Sequence, residues 1–557
     1  MTIPSVCWRM ENTPSILSDC QPFQPASFTT WDNACMISNS ALPLAKIEYR
    51  LRALLPADLY ASVWIEPSAD NLMQVFQHLR TLQHILHDYV PRQISDVLPQ
   101  PGNIRHSWHE GTLLFTDLAG FTSLMEAKVA QGRQGAGTLL TVLNQYFSEM
   151  IQIISKSGGD LLEFTGDAML VQFLNDRHQN NIKQAVRAGL RMQRAMAQFS
   201  HIKTESGAFS LGMRVGIHTG RFVTADIGTP MRMAHVLLGN TVQHAKQAEG
   251  AGKVGRVCLT SKAIAQLMEQ EQGQFTVDPP HYEDYALVRD DFSDRELGEY
   301  DISLSRRRSS SSVLLDRSVD GLLDEIDKAL DRVELLASYL PVPILQMLVE
   351  SASKRQISPH FSEAAVMFVN LSGLPEAVDH ATPAEVDAIT ATFTKAFSLI
   401  NATVRSRGGI LQKATYHLVG SDILIYFGVL NSHTNDAARA AETALIIRDR
   451  ILPSLGELVV GGQPIDLNLH IGINYGSIFA AEIGEPRGRR EFNILGDTVN
   501  TASRLTSHAQ HNQIVISQPL YQQLMQKYDC NSLGNVTLKG KSKPVALYDL
   551  KGDREGD

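Results

Sequence analysis

The sequence has few cysteines, no excess of basic residues and no long apolar run. Five cysteines in 557 residues, without the spacing of a disulfide framework or a zinc site, favour a reducing, cytoplasmic compartment. No apolar stretch reaches the roughly 18 residues that a membrane helix needs, and the N-terminus lacks a signal-peptide pattern. We therefore expect a chain that neither spans nor crosses a membrane.

The charge balance also limits the possible ligands. Fifty lysines and arginines against 59 aspartates and glutamates give a net charge of −9, and 43% of the residues are hydrophobic. A nucleic-acid binder usually carries a basic excess on one face, so that class is disfavoured. A phosphate ligand would need local basic residues. At about 150 residues per domain, the length alone allows three or four domains.

The chain contains a long internal repeat, which determines the architecture before any local motif is considered. Segments from the two halves match in the same order, with offsets between 250 and 257 residues. The matching pairs are 88–91 (DYVP) with 338–341 (SYLP), 211–220 (LGMRVGIHTG) with 467–476 (LNLHIGINYG), and 238–242 (LGNTV) with 495–499 (LGDTV). Each repeat is interpreted as a helical lead-in followed by one large α/β domain.

This repeat predicts five regions along the chain. They are a disordered N-terminal segment at 1–43, a helical lead-in at 44–107, a first α/β domain at 108–304, a linker with the second helical lead-in at 305–360, and a second α/β domain at 361–552. The arginine and serine run at 306–312 is interpreted as a solvated linker, with a phosphorylation-controlled hinge as the alternative.

Hydrophobic patterning in the first domain predicts the order strand, helix, hairpin, helix, strand. The predicted elements are a strand at 112–116, a helical region at 120–155, hairpin strands at 161–164 and 168–173, a helix at 181–200, a strand at 211–217 and a helix after Asn240. This is the β-α-β-β-α-β order of a ferredoxin-like fold.

Two aspartates of the first domain occupy positions suited to metal binding. Asp117 ends a strand and Asp167 lies in the hairpin turn, so they can face each other across neighbouring strands. Two carboxylates supply the hard oxygen ligands that divalent ions need in nucleoside triphosphate chemistry. The alternative is that one caps a helix and the other serves the turn. The second repeat has Asn370 in place of Asp117 and no acid in its hairpin turn, which favours the metal-binding interpretation.

The opposite asymmetry occurs near the end of each repeat. Asn500 and Arg504 are four residues apart, so they share one face of a helix. A guanidinium beside an amide suits a phosphoryl group and a ribose, although an exposed surface arginine is the simpler alternative. The first repeat has Gln243 and Gln247 at these positions. The two repeats therefore carry complementary halves of one predicted site.

Three motifs resemble the class III nucleotidyl cyclases: 115–122 (FTDLAGFT), the glycines at 158–159 followed by Gly166 and Asp167, and 496–504 (GDTVNTASR). The tandem arrangement looks like the soluble, bicarbonate-responsive adenylyl cyclase type, and the likeness covers 108–304 and 361–552. It implies an α+β protein in which two ferredoxin-like cyclase domains pair as an intramolecular pseudo-heterodimer, with one catalytic and one degenerate site at their interface.

The resemblance also implies an activity, the conversion of ATP to 3′,5′-cyclic AMP and pyrophosphate. Asp117 and Asp167, with the Leu118 carbonyl, would bind two Mg²⁺ or Mn²⁺ ions. Arg504 would stabilise charge at the α-phosphorus, and Asn500 would orient the ribose.

Further positions carried over from the family concern the substrate. Lys413 and Asn493 match the base-reading positions and favour ATP, although aspartate or threonine is commoner at the second. Arg232, and either Lys539 or Lys541, are candidates for triphosphate contacts. A guanylyl cyclase stays open as an alternative.

The degenerate site is where the bicarbonate-responsive type binds its activator. Here Glu163 stands where that type has a lysine, which argues against bicarbonate activation, although Lys246 lies near the position of the expected arginine. The rival hypothesis is a catalytically silent, nucleotide-responsive regulatory module. The complementary retention of site residues argues against that rival.

Overall fold

The computed structural model describes residues 41–554 apart from 99, 101–103, 130, 175–180, 205–206, 272, 280–283, 298–299, 301–315, 353–356, 417, 486–487, 539–540 and 542. Most of the segment predicted to be disordered, the linker at 306–312 and the candidate triphosphate ligand Lys539 lie outside the described residues. None of the helices in the described ranges has the length and apolarity required to cross a lipid bilayer.

The first repeat starts with four helices and continues into an α/β domain. Its helices are α1 Ala41–Leu54, α2 Ala57–Ile65, α3 Ala69–Tyr89, α4 Arg92–Asp96, α5 Phe121–Val129, α6 Gly132–Lys156, α7 Asn181–Ala195, α8 Asn240–Ala251, α9 Ser261–Gln270 and α10 Asp294–Leu297. Its strands are β1 Arg105–Ala119, β2 Asp160–Thr165, β3 Ala168–Leu174, β4 Ile202–Thr204, β5 Gly207–Phe209, β6 Gly212–Thr229, β7 Arg232–Leu238, β8 Val257–Thr260 and β9 Tyr285–Val288.

The second repeat follows the same plan. Its helices are α11 Val319–Ala337, α12 Val342–Ser351, α13 Leu374–Ala377, α14 Pro383–Ser406, α15 Asp436–Ile446, α16 Leu452–Ser454, α17 Asp497–His508 and α18 Gln518–Leu524. Its strands are β10 His360–Ser372, β11 Ile410–Tyr416, β12 Ser421–Phe427, β13 Leu458–Val460, β14 Gln463–Ile465, β15 Asn468–Gly484, β16 Arg490–Leu495, β17 Gln513–Ser517, β18 Tyr528–Val536 and β19 Val545–Asp553.

Each domain is built on one mixed sheet. Within the described residues, the first sheet has the order β2-β3-β1-β6-β8-β9, with β7 attached to β6. The second has the order β11-β12-β10-β15-β17-β19-β18, with β16 attached to β15. The first four strands of each order are antiparallel, and the fourth pairs in parallel with the fifth. A hairpin beside the first strand and the fourth strand on its other side confirms the predicted ferredoxin-like fold class.

The two domains exchange their long hairpins. Val223 and Ile227 of β6 are buried in the core of the second domain, together with side chains of α14. Phe479 and Ile483 of β15 are buried in the core of the first domain, together with side chains of α6. Because each domain completes the core of the other, they form the predicted intramolecular pair.

The two lead-ins form a helical layer on the second domain. Side chains of α1, α3 and α11 share a buried cluster with Phe368 of β10 and Ile478 of β15. Successive side chains of a strand point to opposite faces, so this layer covers the face of the second sheet opposite α14. Arg50 of α1 donates to Asp331 and Glu334 of α11 at 2.6 and 2.8 Å, which ties the lead-ins together.

Two elements differ from the sequence-based expectation. The helical region predicted at 120–155 consists of two helices, α5 and α6, and the strand predicted at 211–217 extends to Thr229. The extra length of this strand pairs with β7 in the exchanged hairpin.

Candidate active site

The register of the first sheet brings Asp117 next to Asp167. Thr116 of β1 lies opposite Met169 of β3, and the Met169 N–H donates to the Thr116 hydroxyl at 3.1 Å. The next residue of β1, Asp117, therefore lies beside the turn that carries Asp167. Burial raises the pKa of Asp167, and the negative charge of Asp117 raises it further.

Local cations hold this pair of acids. Arg214, opposite Asp117 on β6, donates to its carboxylate and makes a 2.9 Å ion pair with Glu249. The positive charge of Lys246 partly opposes the rise in the pKa of Asp167. These cations partly offset the negative charge of the two carboxylates.

The acid pair has the chemistry of a divalent-cation site. Two carboxylates at a strand end, with the backbone carbonyl of Leu118 beside them, match the hard oxygen ligands of Mg²⁺ or Mn²⁺. Mutual repulsion between Asp117 and Asp167 is relieved by a cation, and Arg214 already places one against Asp117. Within the described ranges, no group of three or more histidine, cysteine or acidic side chains could hold a metal.

The second domain brings β16 and α17 against this acid-bearing turn. The Asn493 side-chain amide donates to the Gly166 carbonyl at 3.3 Å, next to Asp167. Gly496 precedes α17 with φ +133°, and a Cβ there would lie 2.9 Å from the terminal methyl carbon (Cε) of Met125 in the first domain. Glycine is required at this position by the backbone conformation, whereas the contact involves the flexible end of the Met125 side chain, which can shift.

Asn500 and Arg504 lie on α17 and are partly exposed. Among the residues that the structure describes, neither side chain has a hydrogen-bond or ion-pair partner. The Lys541 ammonium pairs with Asp497 in the first turn of the same helix. The second domain therefore presents on α17 an amide and a guanidinium that are unengaged among the described residues.

The two predicted base-reading residues are engaged with protein groups. Lys413 donates to Glu491 at 2.5 Å and to the Phe164 carbonyl across the domain interface. Asn493 is 1% exposed, and its oxygen accepts from Gln412 at 3.2 Å and from a backbone N–H. A base could contact Lys413 only by exchange with these partners.

Arg232, predicted to contact the triphosphate, is engaged with backbone groups. It is buried, and four of its N–H groups donate to backbone carbonyls of Met233, Tyr339, Leu411 and Gln412. It ties the β6–β7 hairpin to the second lead-in and to β11. These donors could reach a triphosphate only by exchange with their carbonyl partners, and the triphosphate contact stays a prediction.

The degenerate site has a carboxylate of its own. Asn370, the counterpart of Asp117, donates to Asp422 at 2.9 Å. Glu376 accepts from the backbone N–H of Gly373 at 3.1 Å, from that of Gly420, and from the Gln243 side chain at 3.1 Å. An internal carboxylate thus occupies the backbone donors of this site, which disfavours a second nucleotide there.

The sequence matches one protein family over most of its length. The profile described as "Adenylate and Guanylate cyclase catalytic domain" matches residues 105–283 and 357–552.

The chain belongs to this cyclase family.

Curated relatives of the family match different shares of this chain. Adenylate cyclase type 10 of Mus musculus is 22% identical over 466 residues, which are 80% of this chain and 26% of that protein. Adenylate cyclase 1 of Rhizobium meliloti (strain 1021) is 27% identical over 184 residues, or 32% of this chain and 26% of that protein. The chain spans about a quarter of the length of these curated relatives.

A solved structure supports the tandem fold. A class III adenylyl cyclase-like ATP-binding protein from Pseudomonas aeruginosa aligns with a TM-score of 0.52 and 14% identity, over 81% of this chain and 92% of that one. The two cyclase domains of this family are therefore present here in one chain.

Sequence reasoning missed two residues of the paired sites. Arg214 lies inside the repeated segment 211–220, and the register of β1 with β6 would have placed it opposite Asp117. Glu376 follows Asn370 by six residues, but nothing local shows that it turns back to the strand end. Both roles depend on pairing between segments far apart in sequence.

Proposed function

We propose that this chain is an adenylyl cyclase that converts ATP to 3′,5′-cyclic AMP and pyrophosphate at one site between its two domains. One observation carries the proposal, namely that the two domains supply different residues. The first domain supplies the acid pair and has glutamines at the positions of Asn500 and Arg504. The second supplies an unengaged Asn500 and Arg504 and lacks the acid pair. The names of the curated relatives and the family match support a cyclase.

Asp117 and Asp167, with the Leu118 carbonyl, would hold two Mg²⁺ or Mn²⁺ ions. When bound, such ions neutralise the triphosphate and lower the pKa of the ribose 3′-hydroxyl.

The side chains of the second domain orient the substrate for in-line attack. The bond from the 3′-oxygen to the α-phosphorus forms, the bond to the pyrophosphate oxygen breaks, and the hydroxyl proton passes to solvent. Arg504 donates to the α-phosphoryl oxygens as negative charge develops there, and Asn500 hydrogen-bonds the ribose. Arg214, which pairs with Asp117, and Lys541, which pairs with Asp497 in the first turn of α17, are the proposed cations for the leaving phosphates.

ATP is favoured over GTP because Lys413 is the charged base-reading residue. Its ammonium is a donor only, and adenine N1 is an acceptor, whereas guanine N1 carries a proton.

Purified full-length protein with ATP and Mn²⁺ should form cyclic AMP, and Asp117→Asn should reduce the rate by about 10²-fold or more. Wild-type protein without product, or an Asp117→Asn variant at the wild-type rate, would overturn the proposal.

A second function, a catalytically silent nucleotide sensor, is favoured by one contact. Arg214 occupies the Asp117 carboxylate that a metal ion needs. In that case the protein would bind ATP without turnover, and Arg214→Gln would leave it inactive. If the protein is instead a cyclase, substrate binding displaces Arg214 from Asp117, and the wild-type protein converts ATP to cyclic AMP.

A further inference from the structure

The repeated motif that reads Tyr-Val-Pro in the first lead-in and Tyr-Leu-Pro in the second has no role in the proposed mechanism. Tyr89 ends α3, and Tyr339 follows α11 by two residues. The Tyr89 hydroxyl donates at 2.7 Å to Glu482 on β15, the exchanged strand of the second domain. The Tyr339 carbonyl accepts at 2.6 Å from Arg232 on the exchanged hairpin of the first domain. Each lead-in therefore ends against the hairpin of the other repeat.

An acid stands at the equivalent position of each exchanged strand. Glu482 on β15 and Asp226 on β6 lie at the offset of 256 residues that relates the repeated segments of these two strands. Both acids are buried, with 6% and 2% of their surface exposed. Each has a cation, since Arg490 lies 3.2 Å from Glu482 and Arg105 pairs with Asp226. The two acids are matched in burial and charge, but they connect different parts of the chain.

Glu482 joins both lead-ins to the start of β16. Its carboxylate accepts from the Tyr89 hydroxyl and from the backbone N–H of Ile357, just before β10, at 3.1 Å. Its cation, Arg490, is the first residue of β16 and also pairs with Asp88 of α3 at 3.3 Å. A buried charged network of this kind is rigid, because the loss of one member leaves the others without partners in a low-dielectric interior.

β16 links this network to the proposed active site. The strand pairs with β15, and its Asn493 donates to the Gly166 carbonyl beside Asp167. It then leads into α17, which carries Asn500 and Arg504. The position of α17 therefore depends on where β16 is held at its start.

Asp226 makes the corresponding connection on the degenerate side. Its carboxylate pairs with Arg105 at the start of β1 and lies 2.8 Å from Nδ1 of His235 on β7. β7 leads into α8, which carries Gln243 and Gln247. Loss of the Asp226 charge should therefore disturb the fold without moving α17.

We propose that Glu482 is a positioning residue for the cyclase reaction, a role that rests on the proposed function. Glu482 sets where β16 and α17 place Asn500 and Arg504 relative to the acid pair, and it ties that placement to both lead-ins. The two α17 side chains act on the transition state, so their displacement lowers kcat more than it weakens ATP binding.

Steady-state kinetics of full-length Glu482→Gln and Asp226→Asn, with ATP and Mn²⁺, test this role. Both substitutions remove one buried charge, so both should lower the melting temperature. Glu482→Gln should lower kcat by about tenfold or more and keep the KM for ATP within about twofold of the wild type. Asp226→Asn should leave kcat within about twofold. Equal losses of kcat in the two variants, or a loss confined to KM, would overturn the proposal.

Hydrogen–deuterium exchange of the same proteins gives a second measurement that requires no turnover. Glu482→Gln should speed amide exchange across 490–508, which holds β16 and α17, and Asp226→Asn should do so across 232–251, which holds β7 and α8. Unchanged exchange at 490–508 in Glu482→Gln would overturn the positioning role. A wild-type protein that shows this exchange pattern but forms no cyclic AMP would overturn the cyclase proposal instead.

Tyr89→Phe covers the case in which Glu482→Gln does not fold. This substitution keeps the packed ring and removes only the hydroxyl that donates to Glu482, so it should lower kcat by about fivefold. Tyr339→Phe, at the equivalent position of the second lead-in, is the matched control and should leave kcat unchanged. A wild-type kcat in Tyr89→Phe would contradict the role of Glu482.

Discussion

At the residue scale, the site is organised around two acids that the fold places side by side. The pKa of Asp167 is raised by burial and by the charge of Asp117. A metal ion binds only the ionised carboxylates, so protons compete with the metal wherever Asp167 is still protonated.

This competition predicts a pH dependence of metal affinity. Mn²⁺ should bind more tightly as pH rises from about 5 to about 8, because the raised pKa keeps Asp167 protonated above the usual aspartate range of about 3.9. Mn²⁺ binding to nucleotide-free protein, followed by electron paramagnetic resonance, measures it. Affinity that is flat over this range would show that Asp167 is already ionised.

Nucleotide choice is a second property of single residues. Lys413→Glu removes the donor for adenine N1 and offers an acceptor to guanine N1, so the ratio of ATP to GTP turnover should fall by about tenfold or more. Lys527→Glu, at an exposed position of the same domain, is the matched control and should leave the ratio unchanged. Parallel assays with both nucleotides measure it, and an unchanged ratio in Lys413→Glu would remove this residue from base recognition.

Residue roles were predictable from sequence only where the repeats differ. The contrast of Asp117 with Asn370, and of Arg504 with Gln247, was visible in the pattern. The role of Arg232 could not be predicted, because its carbonyl partners Tyr339 and Gln412 lie 107 and 180 residues away in the sequence. A charge in a sequence does not show whether it will be exposed or buried.

At the scale of elements, α17 is positioned by the glycine before it. Gly496 has φ +133° and ψ 173°, and its counterpart Gly239 before α8 has φ 108° and ψ 157°. Both conformations are essentially restricted to glycine. Only Gly496 faces a side chain of the acid-bearing domain, Met125.

These glycines form a matched pair of substitutions. Gly496→Ala and Gly239→Ala should each destabilise the fold by about 1–3 kcal/mol. Only Gly496→Ala should also reduce cyclase activity by about tenfold or more, because it displaces Asn500 and Arg504 from the acid pair. Melting curves and rates for both variants measure this. Equal activity losses would mean that the effect is one of stability alone.

Elements were predictable where local periodicity decides them. The hairpin at 161–173 and the helix at 181–200 appear within a few residues of their predicted bounds. The second half of β6 was not predicted, because its hydrophobic partners belong to the other domain and leave no local pattern in the sequence.

At the scale of the whole molecule, one chain supplies both halves of the site. The exchanged hairpins bury Ile227 in one core and Ile483 in the other, so the domains cannot separate without exposing both cores. Specific activity should therefore stay constant when the protein is diluted about 100-fold, since the pairing is intramolecular. An activity that falls with dilution would indicate that two chains build the site.

The two pseudo-symmetric sites of the molecule are not equivalent. Glu376 occupies the backbone donors of the degenerate site, whereas Arg504 is unengaged among the described residues at the other. The length of the chain suggested three or four domains, but the repeat and the exchange of hairpins make the pair of domains the unit of function.

The central claim is that only one of these sites is catalytic, and one pair of variants tests it most directly. Arg504 and Gln247 occupy equivalent positions on α17 and α8. Cyclic AMP formation from ATP and Mn²⁺ should fall by about 10²–10³-fold in Arg504→Ala and stay within about twofold of the wild type in Gln247→Ala. Equal rates in the two variants, or a larger loss in Gln247→Ala, would contradict the account.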